Sequence, residues 1–143
     1  MSGTKATSTY YGSGKLRSMT WSREDDGAIH RDCGPARLDY YSTGILFRKT
    51  WYQNGKMNRD GAPALVTFYT TGELCSLEFY KDSATHRDMG PAIIQFATSG
   101  ALYKCWYFKN GVNVTTALFE CGAIDSNSII TDLDLFEYCW GLM

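Results

Sequence analysis

Between Ala36 and Tyr41 the chain alternates, with Ala36, Leu38 and Tyr40 on one side and Arg37, Asp39 and Tyr41 on the other. The pattern returns at Ala64, Val66 and Phe68 against Leu65, Thr67 and Tyr69, and again at Ala92, Ile94 and Phe96 against Gln95 and Ala97. Alternation at period two with one apolar face predicts a half-buried antiparallel strand each time. Each strand runs into a polar triplet closed by glycine, Ser42-Thr43-Gly44, Thr70-Thr71-Gly72 and Thr98-Ser99-Gly100. These predict hairpin turns, with glycine supplying the positive φ. The strand after each turn is more mixed. Phe47-Arg48-Lys49-Thr50-Trp51-Tyr52 is apolar at its ends and basic between, and Leu102 to Phe108 is aromatic on both sides. Asn54-Gly55 and Asn110-Gly111 then predict tight turns.

These strands are copies of one unit. His30-Arg31-Asp32-Cys33-Gly34-Pro35-Ala36, Asn58-Arg59-Asp60-Gly61-Ala62-Pro63-Ala64 and His86-Arg87-Asp88-Met89-Gly90-Pro91-Ala92 follow one another at 28 residues, and all 3 prolines of the chain fall in them. A glycine recurs at Gly14, Gly44, Gly72 and Gly100, with a leucine two residues on at Leu16, Leu46, Leu74 and Leu102. An aromatic column follows at Trp21, Trp51, Phe79 and Tyr107. The first copy is two residues longer between Trp21 and the motif, where Glu24-Asp25-Asp26-Gly27 reads as a loop. The expected fold is mainly β: a single elongated antiparallel meander of repeated β-hairpins over residues 10–111, with a 28-residue period and a short C-terminal helix. Each hairpin alone is marginal and takes its stability from its neighbours.

The ends read differently. Residues 1–9 are small and polar, which predicts a disordered lead-in. The motif arginine fails at Thr115, so residues 112–143 read as an acidic cap. Asp125-Ser126-Asn127-Ser128, followed by Ile129, Leu133, Phe136 and Trp140 at helical spacing, predicts an amphipathic helix over about 127–140 that blunts the sheet edge.

Composition narrows the function classes. A length of 143 residues suits one domain, and 10 tyrosines and 4 tryptophans favour strands. The net charge is −1, but no lysine or arginine follows Lys109, while Glu120, Asp125, Asp132, Asp134 and Glu137 do. That tail carries −5 and leaves +4 before it, so the two ends are expected to pair with each other; the alternative is that the acidic end addresses a basic partner. The overall balance gives no footprint for nucleic acid. Cys33, Cys75, Cys105, Cys121 and Cys139 are odd in number and lack metal-site spacing, which predicts reduced thiols. With no apolar run of membrane length and no leader-like stretch in Met1 to Thr7, an intracellular, cytoplasmic protein without membrane insertion is expected.

At the motif and its preceding turn the chain resembles the degenerate MORN-like repeats of phage, giant-virus and bacterial proteins. Trp51-Tyr52-Gln53-Asn54-Gly55 through Arg59 to Pro63-Ala64 carries the likeness most fully, departing at Asn58 for histidine and at Ala62 for glycine. The resemblance spans roughly Tyr10 to Gly111. It implies an elongated sheet that acts as a binding or scaffolding surface, and a viral or phage origin in a host cytoplasm.

Arg31, Arg59 and Arg87, beside Asp32, Asp60 and Asp88, form a column suited to gripping anions, yet their repetition in every unit favours a structural device over a site. Pro35, Pro63 and Pro91 set the loop before each strand. His30 and His86 share one repeat position that Asn58 fills in the middle copy, so acid–base and metal roles are disfavoured. Trp21, Trp51, Phe79 and Tyr107 read either as a core ladder or as a stacking face, with Tyr41 and Tyr69 flanking it. No nucleophile elbow, zinc signature or paired-carboxylate motif occurs, and Gly12-Ser13-Gly14-Lys15 reads as a turn. The expected function is therefore a non-enzymatic protein-binding module without cofactor or metal, docking on a host protein through the aromatic face, with self-association left open. Two alternatives stand beside it: a small-ligand or nucleotide binder using the arginine and aromatic columns, and a self-assembling structural protein.

Overall fold

The computed structural model describes residues 3–143. The strands are β1 (Thr4–Tyr10), β2 (Leu16–Arg23), β3 (Arg37–Tyr40), β4 (Leu46–Thr50), β5 (Tyr52–Gln53), β6 (Lys56–Met57) and β7 (Leu65–Phe68). They continue as β8 (Leu74–Glu78), β9 (Tyr80–Lys81), β10 (Ala84–Thr85), β11 (Ile93–Phe96), β12 (Leu102–Trp106), β13 (Phe108–Lys109) and β14 (Val112–Asn113). Two helices follow, α1 (Thr115–Glu120) and α2 (Leu133–Leu142). Eight strands form one antiparallel sheet in the order β1-β2-β3-β4-β7-β8-β11-β12, and the two-residue strands pair as separate small hairpins. The meander of consecutive hairpins with a short C-terminal helix is thus as the alternation predicts.

Register carries the repeat across the whole sheet. Thr9, Ser18, Asp39, Arg48, Thr67, Ser76, Gln95 and Lys104 stand opposite one another in turn, so one polar row crosses all eight strands on one face. One residue along, on the other face, Ser8, Met19, Leu38, Lys49, Val66, Leu77, Ile94 and Cys105 form a mostly apolar row. Each hairpin turn carries a bulge just before it, between Thr9/Tyr10, Asp39/Tyr40, Thr67/Phe68 and Gln95/Phe96. The turn glycines sit at φ 89, 96, 92 and 88 for Gly14, Gly44, Gly72 and Gly100, a region closed to most side chains. The motif ends on Ala36, Ala64 and Ala92, all fully buried, whose carbonyls accept from the N–H groups of Trp21, Trp51 and Phe79.

Most apolar side chains of the sheet are only half-buried, because no second layer among the described residues covers it. The enclosed core lies at the C-terminal end, where Tyr107, Val114, Leu118, Ala123, Ile124, Phe136, Cys139 and Trp140 pack together.

Two expectations at the ends are corrected. Residues 4–9 are not a disordered lead-in but most of β1, paired from Thr4 with Arg23 to Tyr10 with Leu16; Met1 and Ser2 lie outside the described residues. The segment lacks apolar alternation because, as an edge strand on an uncovered sheet, it has little to bury; threonine-rich backbone pairing suffices. The C-terminal helix begins at Leu133 rather than near 127. Asp125 accepts from the N–H groups of Asn127 and Ile129 and holds 125–129 as a turn, and Asp132 caps the helix by accepting from Leu135 N–H. The helix α1 was not foreseen.

Candidate functional site

The motif arginines are built into their own units. The guanidinium of Arg31 lies 3.9 Å from the ring centre of Trp21, Arg59 lies 3.9 Å from Trp51, and Arg87 lies 4.1 Å from Phe79. Each Nη1 also donates to the carbonyl of its motif proline, Pro35, Pro63 or Pro91, at 3.2, 3.1 and 3.2 Å. One side chain therefore clips the motif loop onto the aromatic residue that precedes it. In this position the arginine column is not a row of free anion ligands, and three members of the aromatic column are roofed.

The histidine position has an equally local role. His30 Nδ1 accepts from Asn54 N–H at 3.0 Å, and His86 Nδ1 accepts from Asn110 N–H at 2.9 Å. In the middle copy Asn58 Oδ1 accepts from Asp82 N–H at 3.1 Å. The position needs an acceptor aimed at the left-handed turn of the next unit, and imidazole or carboxamide supplies it. The other ring nitrogen faces a carboxylate, at Asp32 and Asp88. Asp60, Asp32 and Asp88 are exposed on the loop surface.

Tyr41 and Tyr69 likewise join units. Tyr11, Tyr41 and Tyr69 donate their hydroxyls to the carbonyls of Tyr40, Phe68 and Phe96, each in the next hairpin. The equivalent of these tyrosines in the last hairpin is Ala97, which has no further unit to reach. Tyr107 is buried under the cap, its ring 5.7 Å from Phe136 and its hydroxyl donated to Ser128 O at 2.8 Å. Burial pushes its phenol up to about 12. Its backbone N–H bonds Thr115 Oγ1 at 2.8 Å, where Trp21, Trp51 and Phe79 reach the alanine carbonyl of a following strand. Thr115 and Phe136 thereby stand in for the missing unit and stop the repeat.

Where side chains depart from the repeat, chemistry is left over. Asp39 is buried, and it accepts from Arg37 Nε and Nη2 at 3.2 and 3.1 Å and from Arg48 Nε at 2.8 Å. Burial alone raises its pKa, but these hydrogen bonds and the two positive charges outweigh it and hold the carboxyl below the usual range. Arg17 stands beside them along a cleft of about 440 Å³ that also touches Tyr11 and Phe47. A larger cleft of about 800 Å³ lies between the first two motif loops, lined by Asp32, Trp51, Asn54, Arg59 and Asp60, residues of the motif and its preceding turn.

The cap is the second departure. Of the large hydrophobic side chains exposed among the described residues, only Tyr10 and Met89 precede Leu102; Leu102, Tyr103, Val112, Phe119, Ile129, Leu133, Tyr138, Leu142 and Met143 follow. The acidic tail does not pair with the basic body as expected. Among the described residues Glu120, Asp125, Asp132, Asp134 and Glu137 form no ion pair, and Lys109 donates to Trp140 O instead. The two aspartates that do bond, Asp125 and Asp132, hold a turn and a helix cap. Sequence reasoning passed over the first departure, and of the second it gave the acidic cap but not its exposed apolar side chains. The signal for the first was present in Arg37, Asp39 and Arg48, whose counterparts are Leu65, Thr67 and Ser76 and then Ile93, Gln95 and Lys104.

No helix among the described residues is long and apolar enough to cross a membrane. No protein-family model, curated protein or solved structure matches the chain.

Proposed function

We propose that the chain is a non-enzymatic protein-binding module, in which the repeats are a scaffold and the C-terminal cap is the docking end. The observation that carries this reading is the gathering of exposed apolar side chains and unpaired carboxylates on residues 102–143, while the repeated side chains are bonded within the sheet. Exposed apolar groups in such a concentration favour a macromolecular partner, and the acidic surround favours one with basic residues. The likeness to MORN-like repeats adds that such sheets act as scaffolds, and it points to a viral or phage factor that modulates or inhibits a host protein in the host cytoplasm. The docking surface moves from the aromatic column to the cap because Trp21, Trp51 and Phe79 are roofed and Tyr107 is buried.

The test is capture from host lysate followed by rebinding of the purified captured protein. A Leu133→Ser, Tyr138→Ser double variant alters side chains that are 58% and 65% exposed, so it keeps the fold. The expected result is one protein that rebinds the wild type and binds the double variant more weakly by about tenfold or more, with Arg17→Gln as an unaffected control. No rebinding protein, or equal binding by the double variant, contradicts the proposal.

A further inference from the structure

We propose that the polar face of the sheet carries an anion site for a phosphate monoester, built by Arg17, Arg37 and Arg48 around the carboxylate of Asp39. This goes beyond the docking reading and stands apart from it, on a different part of the molecule. Its first support is repetition in reverse. The strands repeat in register, so a side chain needed to hold a unit together appears in every unit. The arginine cluster appears once, with Leu65, Thr67 and Ser76 at the next set of corresponding positions and Ile93, Gln95 and Lys104 at the last. Arg17 corresponds to Phe47, Cys75 and Tyr103 at the bulge of the later hairpins.

The second support is the state of the donors. Asp39 stands directly opposite Arg48 across the strand pair, and Arg37 projects from the same face two residues earlier. The carboxylate takes Nε of Arg48 and Nε and Nη2 of Arg37. Among the described residues, both Nη atoms of Arg48 and Nη1 of Arg37 have no protein hydrogen-bond acceptor, and Arg17 makes only a ring contact, 5.7 Å from the centre of Tyr11. The buried carboxylate holds two guanidinium groups on the wall of one cleft with their outer N–H groups unspent, and such groups suit bidentate recognition of an oxyanion. The ring of Phe47 lies 5.2 Å from the Arg48 guanidinium, a cation–π contact that favours its place on the cleft.

The third support is charge and room. Three arginines and one aspartate leave two positive charges, which match the roughly −1.5 to −2 of a phosphate monoester near neutral pH better than the single charge of a carboxylate. The cleft of about 440 Å³ exceeds what the phosphoryl group fills, and Tyr11 and Phe47 on its wall suit an aromatic or other flat ester group.

The experiment is titration calorimetry at low ionic strength with phenyl phosphate and, separately, benzoate. Wild type is compared with Arg17→Gln, which removes a guanidinium that holds no hydrogen bond among the described residues, and with Lys56→Gln, which removes an exposed charge from a different hairpin. The expected result is one-to-one binding of phenyl phosphate, weakened about tenfold or more by Arg17→Gln and unchanged by Lys56→Gln, with benzoate weaker than phenyl phosphate. Absence of binding, equal loss in the two variants, or benzoate binding as tightly overturns the site.

Discussion

Replacing Arg59 by alanine tests the role assigned to the repeated motif. The side chain stacks on Trp51 at 3.9 Å and donates through Nη1 to Pro63 O at 3.1 Å. A guanidinium on an indole face contributes about 0.5–2 kcal/mol, and a hydrogen bond from a charged donor about 1.5–3 kcal/mol. Arg59 is only half-buried, so solvent competes for both contacts and the lower ends apply, giving a loss of about 2 kcal/mol. Lysine keeps the charge but cannot stack a plane and donate sideways together, so Arg59→Lys loses about 1 kcal/mol. Urea unfolding followed by circular dichroism reads these values. With a slope of about 2 kcal/mol per molar, the midpoint falls by about 1 M for Arg59→Ala. Arg17→Ala serves as the surface control and shifts stability by less than about 0.5 kcal/mol. A Trp51→Ala, Arg59→Ala cycle isolates the stacking term and shows a coupling of about 0.5 kcal/mol. Equal midpoints for Arg59→Ala and Arg17→Ala refute the structural assignment of the column.

Three further outcomes follow from the same geometry. Asp39 has a folded pKa held below its ordinary 3.8, so the stability it contributes is complete above about pH 5, and it is lost as the pH falls through 3.8 towards the lower folded value; the stability difference between wild type and Asp39→Asn, measured by urea unfolding, is therefore flat from pH 7 to about pH 5 and shrinks below about pH 4. Tyr107 titrates up at about 12 because it is buried, so its contribution is present below pH 10 and lost between 10 and 12; alkaline unfolding of Tyr107→Phe lacks that part of the decline, and an identical pH profile contradicts the burial. Tyr41→Phe and Tyr69→Phe each remove one hydroxyl-to-carbonyl bond between hairpins and lower stability by about 1 kcal/mol, while Tyr103→Phe, 70% exposed with no such bond, leaves thermal unfolding unchanged.

The hairpins were legible because their determinants are local. Alternation at period two and glycines at positive φ act within a few residues, and the spacing of 28 between copies repeats them in phase. The first strand was missed for want of an apolar side, although Ala6 occupies the phase of Ala36, Ala64 and Ala92, four residues before its Tyr10 as Ala92 is before Phe96. The arginine column was visible, and its repetition pointed to structure. Its stacking partner was not visible, because the aromatic residue lies across the small hairpin, eight residues earlier in the second and third motifs. The helix start misled because Asp125 and Asp132 are both sound caps by composition, and only the pairing of Ile124 with Ile130 makes the first of them a turn. Charge counting also does not contain the local bonds that engage the tail instead: Asp125 holds a turn, Asp132 caps a helix and Lys109 donates to Trp140 O.

Scaffold and docking end separate cleanly under one deletion. Removal of residues 65–92 joins Ala64 to Ile93, which are consecutive in repeat phase, and takes out one whole unit of 28 residues. It leaves β1 to β6, β11 to β14 and the cap, with Arg17, Arg37 and Arg48 in place. The decisive measurement is the affinity of this shortened chain for the partner captured by the wild type, once circular dichroism has shown cooperative unfolding. An affinity equal to that of the full chain is the predicted result. A shortened chain that folds cooperatively but no longer binds contradicts the assignment of docking to the cap and returns the binding surface to the repeats.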